Sequence, residues 1–134
     1  MANQKKVVAV LNDLLFRVKI QEAAKRAGID VVFAQSPGEA LAQARDQPAV
    51  IMLDLNDTNI EPLDLIEKLK GNDGTRNIRL LGYASHVQTD LIRAAREKGC
   101  DEVMARSAFV QNLPKILGRY GEEALEALNG LEKR

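Results

Sequence analysis

Apolar positions along this chain switch between two periods. Val7 to Leu11, Ile29 to Ala34, Ala49 to Leu53 and Ile78 to Tyr83 are short, nearly continuous apolar runs, the pattern of strands buried on both faces. Between them apolar residues recur at helical spacing. Phe16, Ile20, Ala23, Ala24 and Ala27 mark a first helix, stopped by Gly28. Ser36-Pro37-Gly38-Glu39 combines a capping box with proline at the first helical position and opens a second helix through Leu41 and Ala44. Leu63, Ile66 and Leu69 define a third, reached through the polar loop Asn56-Asp57-Thr58-Asn59 and followed by a turn from Gly71 to Gly74. A fourth carries Leu91, Ala94 and Ala95 to Gly99, and Asp101 to Ala105 is a weaker fifth strand. Pro114 is tolerated only in a first turn, so the fifth helix is expected from about Gln111 to Tyr120, with Arg106 to Val110 as loop. The tail repeats Ala124, Leu125, Leu128 and Leu131 on one side, enough for a short extra helix.

Strand and helix in alternation predict a parallel sheet covered on both faces, an α/β three-layer sandwich. The organisation expected is one domain over 1–120 and a C-terminal helical extension over 121–134. At 134 residues the chain can bury a core without metal or disulfide support.

Charge narrows the partners. Lys plus Arg equals Asp plus Glu at 19 each, so no net field draws the chain to nucleic acid or membrane. Cys100 stands alone, which excludes an internal disulfide or a thiolate metal cluster and suits a reducing, cytoplasmic setting. Met1 to Lys6 leads into an apolar stretch broken by Asn12 and Asp13, neither a signal peptide nor a membrane span.

The candidate chemistry centres on Asp54, the acid that closes the third strand. Open α/β sheets place their sites at the carboxyl ends of strands. Asp13 stands at the end of the first strand, where it also suits the N-cap of the first helix. Ser85-His86-Val87-Gln88 reads as a capping box after the fourth strand. His86 is the single histidine, a candidate modulator of the crevice or a solvated first-turn residue. A Ser85–His86–Asp54 hydrolase is disfavoured, because neighbouring residues point apart and no strained elbow exposes the serine. Flavin or cobalamin binding is also disfavoured: Leu11 to Leu14 has no glycine and no Ser/Thr cluster to cradle a phosphate, and no histidine sits in the loop after Asp54.

Val7 to Asp13, Val50 to Leu55 and Lys98 to Val103 together resemble the receiver domain of bacterial two-component response regulators, over Lys5 to Leu117. The resemblance implies a flavodoxin-like sheet of order 2-1-3-4-5 and a phosphoacceptor at Asp54, served by a histidine kinase in a phosphorelay. It also implies Mg²⁺ held by an acidic pair, and a protein partner or second copy docked on helix four, strand five and helix five. The helper positions depart from that pattern. Leu11 and Asn12 fall on the acidic pair, with Asp13 one place further, so the Mg²⁺ site is degraded. Ala84 falls on the switch hydroxyl, with Ser85 next to it. Val103 replaces the switch aromatic, with Tyr83 as a candidate substitute. Arg106 replaces the lysine, and its planar fork suits a fixed pair with Asp54. Ser107 follows it, so a trans peptide is expected. The function expected is therefore a stand-alone, atypical, non-enzymatic receiver acting through protein contacts, with phosphorylation of Asp54 weak or lost. The alternative is a working phosphoacceptor using Asp54, Asp13, Ser85 and Arg106 in shifted register.

Overall fold

The computed structural model describes residues 6–85 and 88–132, with side chains in the last helix described to Tyr120. Five strands, β1 (Val7–Val10), β2 (Val31–Ala34), β3 (Val50–Asp54), β4 (Arg79–Ala84) and β5 (Glu102–Ala105), alternate with helices α1 (Leu14–Ala27), α2 (Pro37–Ala44), α3 (Pro62–Gly71), α4 (Thr89–Glu97) and α5 (Arg106–Glu132). All strand pairs are parallel, in the order β2-β1-β3-β4-β5. The predicted architecture and strand order are those observed.

Period-two alternation divides the core between the two faces of the sheet. Val8, Val10, Ile51, Leu53 and Leu80 join α2, α3 and α4 through Ala40, Leu65, Ile66, Leu69 and Ala95. Val7, Ala9, Val50, Met52 and Leu81 face α1 and α5 through Phe16, Ile20, Phe109, Leu113 and Leu117. The inner strands β1 and β3 read as continuous apolar runs because both of their sides are buried.

Local signals set the helix ends. Gly28 ends α1 in the left-handed region at φ 69° and donates to the carbonyls of Ala24 and Lys25, a conformation glycine adopts without penalty. Ser36 accepts from the Glu39 amide at 3.2 Å and Glu39 accepts from the Gln35 amide, so that Ser36 caps α2 and the helix starts at Pro37. Gly82 is needed for packing: a Cβ there would stand 2.9 Å from Leu55 Cδ1.

Two expectations are corrected. The segment Arg106 to Val110 is not a loop, for α5 begins at Arg106 directly after β5, and Pro114 lies inside it. Phe109, Leu113, Ile116 and Leu117 all point into the core from this helix, and burying each such side chain is worth about 1.5–3 kcal/mol. Together they outweigh the roughly 3 kcal/mol that a proline costs inside a helix. The tail also forms no separate short helix: α5 continues unbroken to Glu132. The side chains of Leu125, Leu128 and Leu131, and all of His86, lie outside the described residues.

Candidate functional site

The order β2-β1-β3 reverses the direction of winding at β1, and a crevice opens there above the carboxyl ends of the strands. Asn12 and Asp13 follow β1, Asp54 ends β3, Ala84 ends β4, and Arg106 is the first residue after β5. Parallel register brings together residues far apart in sequence.

Asp54 is only 4% exposed and is the one buried charged side chain among the described residues. It lies opposite Tyr83 in the β3–β4 ladder. Its Oδ1 accepts the Asn56 amide at 3.0 Å. Burial raises its carboxyl above the ordinary aspartate range, opposed by that amide and by the charge of Arg106 and reinforced by Asp57 and Asp13.

Asp13 has two jobs. One oxygen caps α1, accepting from the Leu15 and Phe16 amides at 3.0 and 3.1 Å. The other takes Arg106 Nη2 at 2.7 Å. The Phe16 amide, with Arg106 assisting and burial opposing, holds this carboxyl below its ordinary range. Arg106 therefore closes on Asp13 and not on Asp54, a correction to the fixed pair expected from sequence. Packing explains the choice, since α1 and α5 lie side by side and the guanidinium rests 4.3 Å over the Phe16 ring. Phe16 stacks in turn on Tyr83 at 5.1 Å, and Tyr83 on Phe109 at 4.4 Å.

The remaining helper positions are structurally occupied. Asn12 donates to the Gln35 carbonyl at 3.1 Å and to Asp57 Oδ2 at 2.8 Å. Ala84 is fully buried and Val103 is buried on the α3/α4 side. Tyr83 keeps a buried hydroxyl with no hydrogen-bond partner among the described residues, and burial, then Asp54, push its phenol far above the ordinary range. No cis peptide occurs among the described residues, so the Arg106–Ser107 bond is trans.

The expected capping box at Ser85 does not form. Helix α4 starts later, at Thr89, and Gln88 precedes it without a side-chain cap. Asn56, in the polar loop after β3, instead engages both ends of the segment. Its Oδ1 accepts from the Ser85 amide at 2.9 Å and its Nδ2 donates to Gln88 Oε1. The signal available was an Asn two residues beyond a strand-ending Asp, a spacing that favours local side-chain to backbone bonding.

A hard divalent cation prefers several charged oxygens, and these residues do not fit one as arranged. Both oxygens of Asp13 are engaged, Asn12 turns its amide nitrogen to Asp57, and no group of three metal-ligating side chains is present among the described residues.

No family model and no curated protein sequence matches the chain. Solved structures do. The chemotaxis response regulator CheY4 of Vibrio cholerae superposes with a TM-score of 0.74 at 20% identity, over 87% of this chain and 98% of that one. The phosphorylated cyanobacterial phytochrome response regulator RcpA gives 0.70 at 21% identity, over 92% and 96%. The receiver domain of the sensor histidine kinase PA1611 of Pseudomonas aeruginosa, with magnesium coordinated in its active-site cleft, gives 0.74 at 13% identity, over 88% and 98%. From β1 to β5 in the order 2-1-3-4-5, with Asp54 at the end of β3, the chain has the CheY-like fold of response-regulator receiver domains.

Proposed function

We propose that this protein is a non-enzymatic receiver-fold signalling module, cytoplasmic, that acts through protein contacts and accepts a phosphoryl group at Asp54 weakly or not at all. One observation carries the reading: two of the charged groups beside Asp54, Asp13 and Arg106, are spent on each other. Asp13 is committed to the α1 cap and to Arg106. Arg106 can pair with an incoming phosphoryl group only by leaving Asp13, and Asp13 can offer that oxygen to a cation only without Arg106.

Contact surfaces fit the same reading. The resemblance implies docking on α4, β5 and α5. The large exposed apolar side chains among the described residues stand elsewhere, on the first turns of α1: Leu14, Leu15 and Val18, at 71, 76 and 52% exposure. They adjoin Arg17 and Lys19 on a helix with Glu22 as its only acid. Exposed together on one helix end, they offer an apolar surface to a partner. No helix of the described residues is long and apolar enough to cross a membrane.

Intact-protein mass after incubation with acetyl phosphate and Mg²⁺, with Asp54→Asn alongside, tests the proposal. No adduct is expected. An adduct that disappears in Asp54→Asn overturns it in favour of a working phosphoacceptor, the second reading, which the burial of Asp54 at the head of the central strand supports.

A further inference from the structure

We propose that Asn56 is the positioning residue that couples the state of the Asp54 carboxyl to the start of α4. The proposal rests on Asp54 being the group whose state changes. It does not depend on whether the change is phosphorylation or loss of charge.

Three hydrogen bonds carry it. The Asn56 backbone N–H is held by Asp54 Oδ1 at 3.0 Å. Its side-chain carbonyl accepts the Ser85 amide at 2.9 Å. Its side-chain amide donates to Gln88 Oε1. One residue thus spans the gap between the end of β3 and the connection from β4 to α4. Backbone bonds extend the grip: the Gln88 amide donates to the Ser85 carbonyl at 3.1 Å, and Ile92 in α4 donates back to Gln88 at 3.1 Å. Gln88 stands immediately before α4 and contributes no side-chain cap to it, because its side chain is turned to Asn56.

The groups that would otherwise make this link are missing. Ala84 carries no hydroxyl, and Val103 carries no ring able to swing between two positions. Asn56 fills the gap by a shorter route. An N–H bound to a carboxylate is about twice as strong as one bound to a neutral acceptor, so protonating Asp54, or converting its carboxylate into an acyl phosphate whose carbonyl is a neutral acceptor, loosens the hold on Asn56. The planar amide then carries the displacement to Ser85 and Gln88 together. Asn56 and Gln88 also share the wall of a cavity of about 360 Å³, lined further by Leu55, Pro62, Leu63 and Leu91. Opening the clamp reshapes that cleft.

The test is a double-mutant cycle read by NMR. Asp54→Asn removes the charge, and the amide shifts of Thr89 to Glu97 report α4. In the otherwise native chain Asp54→Asn moves these resonances. In an Asn56→Ala background the same substitution moves them severalfold less, while shifts along β3 and β4 persist. Gln88→Ala, at an exposed position, cuts one link without endangering the fold and gives an intermediate loss. An α4 response unchanged by either substitution overturns the proposal, as does an Asp54→Asn variant that leaves α4 unmoved. Phosphoryl uptake, read separately by mass, decides the functional reading without bearing on this one.

Discussion

The Arg106 guanidinium meets the Asp13 carboxylate at 2.7 Å, a contact closed over 93 residues of chain. Both groups are about a third exposed, and such a pair contributes only about 0–1 kcal/mol by itself. Its importance is directional. The bond turns the guanidinium toward α1, and among the described residues the hydrogen bond to the Asp54 carboxylate comes from the Asn56 backbone.

Asp13→Ala removes the cap of α1 together with the pair, and a loss of about 1–2 kcal/mol is expected at neutral pH. Asp13 is held below the ordinary value of 3.8, so its contribution is present above that value and fades as pH falls through the folded-state value. Urea denaturation should show the variant and the native chain converging in acid. Asp13→Asn, which keeps a capping oxygen, should lose less. Equal losses for Ala and Asn would assign the stability to charge and not to the cap.

Asp54→Asn should act in the opposite sense. Burial raises the folded-state carboxyl above 3.8, so folding favours its neutral form. That advantage is complete below the unfolded value and is lost as pH rises through the folded one. Replacing the ionised group should therefore stabilise the protein at neutral pH by roughly 1–3 kcal/mol, the scale of an incompletely satisfied buried polar group. The gain should vanish in acid. Thermal melts across pH decide it, and a lower melting temperature for Asp54→Asn at neutral pH would contradict the burial argument.

Gly82→Ala places a methyl 2.9 Å from Leu55 Cδ1 and 3.0 Å from its Cγ. Leu55 is itself buried, so the clash cannot be relieved into solvent. A loss of about 1–3 kcal/mol is expected. Because Leu55 follows Asp54 directly, the amide resonances of Asp54 and Asn56 should move as well. Unchanged stability would mean that Leu55 has another rotamer within the core.

Leu14→Ser combined with Leu15→Ser should leave folding stability within about 0.5 kcal/mol, since both side chains are exposed to water in the free chain. Chemical denaturation at low and high protein concentration is the measurement. A loss of several kcal/mol that grows with concentration would show that a second copy already covers them.

Much of the fold was legible because both periods are strong. Runs such as Val50 to Leu53, buried on both sides, and stripes such as Phe16, Ile20 and Ala24 each permit one reading. The start of α5 was obscured by Pro114, whose local cost is visible in sequence while the burial of Phe109 that outweighs it is not. Asp54 was legible from its place after an apolar run, and the N-cap role of Asp13 from its residue type. The destination of Arg106 was not, since its bond to Asp13 depends on how α1 and α5 lie together and on the ring of Phe16 beneath it. Asn56 was missed for a related reason: its partners, Ser85 and Gln88, come within reach only once β3 and β4 pair.

No connecting loop separates β5 from α5; Ala105 ends the one and Arg106 begins the other. At 1.5 Å per residue the 27 residues of α5 make a rod of about 40 Å, roughly twice the length of any strand it covers. Arg106 is the first residue of that rod. With no loop to take up slack, the Asp13 contact ties the first residue of α5 directly to the residue that caps α1.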